Sequence, residues 1–218
     1  MTVRDTDSLI AALAAEARAV RPLASPVARA AGTLGLLALA GLAAVLLLPT
    51  VDPLALRGPG AELLAGAEQA AVLLTGILAV IAAFHLAIPG RSRRWLLAPL
   101  PAFVLWLGLS GLGCWRDLVR NGPSGFEAGH SMDCLGFILL SSLLIGPLVA
   151  WRLSRAAPID PVPVAAMGGL GIAALSAFLL QFFHPFAVTF IDLAFHLAAV
   201  AIVTTIAVLL RRPILRAA

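Results

Sequence analysis

The stretch Gly113–Leu135, GCWRDLVRNGPSGFEAGHSMDCL, decides how the rest of the chain is read. It is a polar insert carrying Cys114 near one end and Cys134 near the other, the chain's only two cysteines, and long apolar runs lead into it and out of it. About 20 apolar residues cross the ~30 Å hydrocarbon layer of a bilayer, so a polar segment between two such runs reads as a loop joining two membrane spans.

Outward from it the same pattern recurs. Apolar stretches of spanning length cover Ala30–Leu48, Ala70–Ile88, Trp95–Trp115, Leu135–Trp151, Val162–Phe183 and Phe190–Leu210, with Pro, Gly, Asn, Asp or His between them. The expected fold is all-α: a bundle of six transmembrane helices over residues 29–218, behind a short tail, residues 1–28, that carries an amphipathic helix. Composition agrees, because 61% of the 218 residues are hydrophobic and 12% charged, more apolar surface than one water-soluble core can hide. All 15 basic residues are arginine, which excludes a lysine Schiff base or a P-loop lysine. The chain shows no HExxH, nucleophile elbow or paired catalytic carboxylates, so an enzyme is not expected, nor a cofactor.

Arginine placement sets the orientation. Arg4, Arg18, Arg21, Arg29, Arg91, Arg93, Arg94, Arg152, Arg155, Arg211, Arg212 and Arg216 fall on the side shared by the two termini, and only Arg57, Arg116 and Arg120 on the other. By the positive-inside rule both termini are expected in the cytoplasm and the cysteine loop outside. Arginines gathered at span edges also speak against direct nucleic-acid binding, which wants a basic soluble face. The polar Met1–Ala28 reads as a retained tail rather than a cleavable signal peptide.

With nineteen residues between them, Cys114 and Cys134 stand at the facing ends of the third and fourth spans, which are expected to be antiparallel neighbours. Three readings stay open: a structural disulfide, whose loop closure is worth about 3 kcal/mol in a chain-entropy account; a redox- or metal-sensing thiol pair; or two unpaired residues. His130, Asp133 and His184 are candidate companions for a metal, though no CxxC or HxxxH spacing supports one. In the sixth span Asp192 and His196 are one turn apart, share a face and can pair; with His184 and His130 they are the candidate ion or metal ligands, or else a buried polar pair that fixes packing. Glu68 and His85 are expected near opposite ends of the second span, snorkelling to water. Gly108, Gly111 and Gly113 in the third span and Gly168, Gly169 and Gly171 in the fifth are expected where helices approach closely. Trp95, Trp115 and Trp151 fall at the expected interfaces and Trp106 in mid-span.

The tail reads as a helix over Asp7–Val20, capped by Thr6 or Asp7, with Asp5 and Asp7 at its positive end and Arg18 at its negative end. Leu9, Ile10, Leu13, Ala17 and Val20 share one arc, and Pro22 and Pro26 end the helix before the first span. Such a face either lies on the bilayer surface or seats in the groove of a soluble partner.

The tail DSLIAALAAEARAVRPLASP, the six spans and the second half CLGFILLSSLLIGPLVAWRLSRAAPIDPVPVAAMGGLGIAALSAFLLQFFHPF resemble the NrsF-like family of negative regulators of extracytoplasmic-function sigma factors. These are polytopic inner-membrane anti-sigma factors of Gram-negative bacteria. The resemblance implies that Leu9, Ile10, Leu13, Val20 and Pro22 hold a sigma factor, the cytoplasmic partner, and that Cys114 and Cys134 inherit a role in stress or metal sensing. The family often has a cysteine after the histidine that follows the fifth span, whereas here Pro185 follows His184. Two other classes fit the residues themselves: a small transporter or channel running through Asp192, His196 and His184, and, third, a membrane thiol oxidoreductase.

Overall fold

The structure, a computed structural model, describes residues 3–17, 22–52, 62–122, 128–183 and 189–215. They are all helical or connecting, with no strand among them: α1 Val3–Glu16, α2 Pro26–Leu47, α3 Glu62–Leu86, α4 Leu100–Asn121, α5 Ala128–Ser154, α6 Pro161–Leu180, α7 Phe190–Leu209 and the short α8 Arg211–Leu215. A 3-10 turn, Arg93–Leu97, leads into α4. Six helices are long and apolar enough to cross a membrane.

Proline and short polar residues set the helix starts. Pro26 opens α2 behind Ser25, whose Oγ accepts from the Ala28 N–H at 3.2 Å; Pro26 therefore starts the first span, where the sequence reading had it only ending the tail helix. Pro161 opens α6 in the same way. Two boundaries differ from expectation with consequences below. Helix α3 begins at Glu62, eight residues before Ala70, and α5 runs for 27 residues over what had read as the shortest span. Helical hydrogen bonding continues past the apolar core at both places, because propagating an existing helix costs little even through polar residues. Cys114 and Cys134 accordingly sit within α4 and α5, and much of the polar insert is helix.

The bundle is built on the central α3–α6 pair, with α5, α6 and α7 all packed on one another. Helices α2, α3 and α4 pack in sequence, and further contacts join α2 to α5 and α4 to α7. The centre is α3 against α6: 56% of each one's spanning window is buried, against 17–22% for the other four. Glycine permits that crossing. A Cβ on Gly171 would lie 3.1 Å from the Val80 backbone nitrogen and 3.3 Å from the Gly76 carbonyl, and one on Gly76 2.7 Å from the Leu175 side chain. Outward faces of the outer helices are apolar and exposed, as at Leu39, Leu46, Leu47, Leu143 and Leu144, which suits acyl chains.

One end of the bundle is arginine-rich. There the first turn of α2 meets the last turn of α5: Arg29 Nη2 donates to the Arg152 carbonyl at 2.7 Å, Arg152 Nε to Thr33 Oγ1 at 3.3 Å, and Thr33 Oγ1 to the Arg29 carbonyl at 2.8 Å. Arg93 pairs with Asp160 at 2.8 Å, joining the α3–α4 and α5–α6 connections; both side chains are exposed, so the pair adds little stability. At the same end His85 is not snorkelling. It is buried and stacked on Trp95 at 3.8 Å between centroids, with neither ring nitrogen bonded.

Candidate functional site

The opposite end carries both cysteines and a polar cluster that sequence reasoning missed. Because α3 starts early, Glu68 lies well inside it, only 3% exposed, and does not reach water as expected. Its Oε1 accepts a 2.6 Å hydrogen bond from Ser110 Oγ on α4. A carboxyl inside a spanning helix is tolerated only when bonded and turned into the bundle, so this contact fixes α3 to α4. Glu68, Ser110, Gln181 and His196 line one cavity of ≈ 30 Å³, with Trp106 as an apolar wall. Gln181 Oε1 is buried there without a donor, and the cavity has room for about two waters to supply one. The signal available in the sequence was an ionisable residue facing a small hydroxyl on the next span; the misplaced helix start concealed it. Replacing Ser110 by alanine should lower stability by about 1–3 kcal/mol, because a buried carboxyl loses a bonding partner. Thermal unfolding of the purified S110A protein in detergent measures this, and an unchanged midpoint would count against the contact.

Asp192 and His196 share a face of α7, as spaced, and both are buried. Asp192 closes a capping box: its Oδ2 accepts from the Thr189 N–H and hydroxyl, both at 2.8 Å, and its own N–H donates to Thr189 Oγ1 at 3.3 Å. His196 Nδ1 lies 2.6 Å from the Asp192 carbonyl oxygen, which puts the proton on that nitrogen. Part of what made Asp192 look like a path residue is therefore helix-start chemistry.

Cys134 is fully buried in a core cluster with Trp106, Ile138 and Ala173. Cys114 is buried too. The expectation that their helices are side-by-side neighbours is corrected: α4 packs on α3 and α7, α5 on α6 and α7, and α4 and α5 share no extended seam. The physical reason is that both helices spend their packed faces on others, α4 on α3 and α7 and α5 on α6 and α7. His130 lies in the first turn of α5 with its side chain outside the described residues, and His184 lies outside them altogether. Among the described residues no three His, Cys, Asp or Glu side chains gather to hold a metal ion.

The tail helix α1 stands apart. It starts at Val3 and ends at Glu16, so Thr6 and Asp7 lie inside it rather than capping it, and Asp7 acts through the helix dipole. Leu9, Ile10 and Leu13 are 49%, 58% and 59% exposed, and α1 forms no packed seam with any other helix. Pro22 lies in the non-helical link, Pro22–Ser25, that leads to α2, and Val20 is outside the described residues.

A protein-family model described as negative regulator of sigma F matches residues 13–216, nearly the whole chain. The chain belongs to the NrsF family. No curated protein and no solved structure matches it. The NrsF match takes in all six spanning helices and the tail from Leu13 onward, and leaves Leu9 and Ile10 ahead of it. The family is one of regulators rather than enzymes, and its name points to a sigma factor as the partner.

Proposed function

We propose that this chain is an anti-sigma factor of the bacterial inner membrane, with both termini in the cytoplasm, whose tail (1–28) holds an extracytoplasmic-function sigma factor and whose six-helix body (29–218) releases it on a signal from outside. The single observation that carries the reading, beyond family membership, is α1: an amphipathic helix with an apolar stripe that nothing in the bundle covers. Leu9, Ile10 and Leu13 seat in a groove of the sigma factor, as helix-in-groove partners do. Val20 and Pro22 continue that surface towards the membrane. The arginine-rich end faces the cytoplasm, in keeping with the positive-inside rule.

The sensing half rests on Cys114 and Cys134. A thiol-reactive metal or oxidant binds the two states of the bundle unequally and moves α4 and α5 against α7. About 3 kcal/mol of differential binding shifts such an equilibrium roughly a hundredfold. Stress response is the setting this chemistry suits.

Co-expression with a candidate extracytoplasmic-function sigma factor, followed by affinity capture, tests the partner. A reporter fused at Ser8 or after Ala218 tests the orientation, and signal from the exterior would overturn the reading. For the sensor, a membrane-impermeant maleimide should label the buried cysteines at least tenfold more slowly in the resting protein than after denaturation, and the inducing metal or oxidant should change that rate. Equal rates in resting and denatured protein would remove the buried-thiol sensor.

A further inference from the structure

Two arginines, Arg29 and Arg152, interlock where α2 begins and α5 ends, and no carboxylate meets either of them among the described residues. The hydrogen bonds that hold Arg29 and Arg152 go to a carbonyl and a hydroxyl, which orient the two side chains without neutralising them. Arg29 Cζ also sits 5.1 Å over the Phe84 ring, and its Nη1 is shut off from solvent with no acceptor. Arg155, one turn beyond Arg152 and exposed, adds a third positive charge at the end of α5, its guanidinium 5.6 Å from the Trp151 ring centroid. The one described acid at this end of the bundle body, Asp160, is bonded to Arg93. Gly32 makes the arrangement possible, since a Cβ there would come within 3.0 Å of Arg152 Nη2.

Like charges held together without a counter-ion call for an anion from outside the chain. The site lies in the first turn of one spanning helix and the last turn of another, the depth of lipid headgroups, and the positive end of the α2 dipole lies beside it. Guanidinium forks match phosphate oxygens in pairs. We propose that Arg29, Arg152 and Arg155 form a binding site for the phosphate of an anionic phospholipid. The lipid clamps α2 to α5, and with them the membrane root of the tail. A basic pocket between spanning helices on the cytoplasmic side is suited to an anionic headgroup.

The test uses the full chain purified in detergent, with phosphatidylglycerol, phosphatidylcholine or sodium phosphate added, and native mass spectrometry of the lipid retained. The wild type should retain phosphatidylglycerol over phosphatidylcholine, and R152Q and R155Q should each cut that preference about fivefold. Arg155 is exposed, so R155Q keeps the test valid even if R152Q fails to fold. R93Q, which removes a charge from the same end but not from the site, should retain lipid as the wild type does. Equal retention in wild type and R155Q would overturn the proposal, as would an equal loss in R93Q, which would mean diffuse surface charge. Displacement of the lipid by millimolar phosphate alone would reassign the site to a free anion.

Discussion

Replacing Leu9 and Leu13 together by aspartate should abolish capture of the sigma factor while leaving the six-helix body intact. Each leucine contributes roughly 1.5–3 kcal/mol when fully buried in a partner, so losing both weakens binding by about 3–6 kcal/mol, on the order of a hundredfold to ten-thousandfold. Both side chains are already exposed and α1 packs on no other helix, so the substitutions remove nothing from the bundle. The measurement is co-purification of the co-expressed sigma factor with wild type and L9D/L13D, alongside the thermal midpoint of each. Undiminished capture by the double variant would eliminate α1 as the docking helix. A lowered midpoint would instead show that the tail belongs to the folded body.

The second large effect is expected at Gly169, where α6 crosses α7. A Cβ there would lie 2.9 Å from the Thr204 Cα and 2.9 Å from the Ala207 Cβ, and neither is the tip of a flexible side chain that can swing aside. Gly169→Val must therefore push two helices apart, at a cost of roughly 3 kcal/mol or more given that smaller overpacking costs 1–3 kcal/mol. The variant should unfold at a clearly lower temperature in detergent or fail to accumulate in the membrane. Gly108→Val is the control: its Cβ would meet nothing within 4 Å, so stability should hold. Equal behaviour of the two variants would contradict the packing described for α6 and α7.

These glycines mark what the sequence made legible. Length and hydropathy placed six spans because the hydrocarbon layer imposes its own thickness on any helix that crosses it. Composition could not say which glycines face a neighbour: Gly168, Gly169 and Gly171 do, Gly108 and Gly111 do not, and Gly76 had drawn no notice. Contact between helices depends on rotation about each axis, and a span that is apolar all round carries little sign of its rotation. Glu68 was misread for a related reason. Hydropathy fades before hydrogen bonding does, so the polar first turns of α3 looked like loop and the buried carboxyl looked like a residue at the water's edge. The Asp192–His196 spacing was visible, but the role of Thr189 in closing a capping box needed the helix start. The order of helices in space is a matter of topology, and sequence adjacency of the third and fourth spans suggests an extended seam that the packing does not keep, since α4 packs on α3 and α7 and α5 on α6 and α7.

Helix α5 carries Cys134 near its first residues and Arg152 near its last, and Arg152 grips the very turn of α2 from which the tail departs. At 1.5 Å per residue the eighteen residue steps from one to the other amount to a rod of about 27 Å. Pro147 breaks its bonding pattern two-thirds of the way along. Under the sensing role proposed above, α5 is the single element that joins the buried thiol to the start of α2, where the Pro22–Ser25 link enters the bundle.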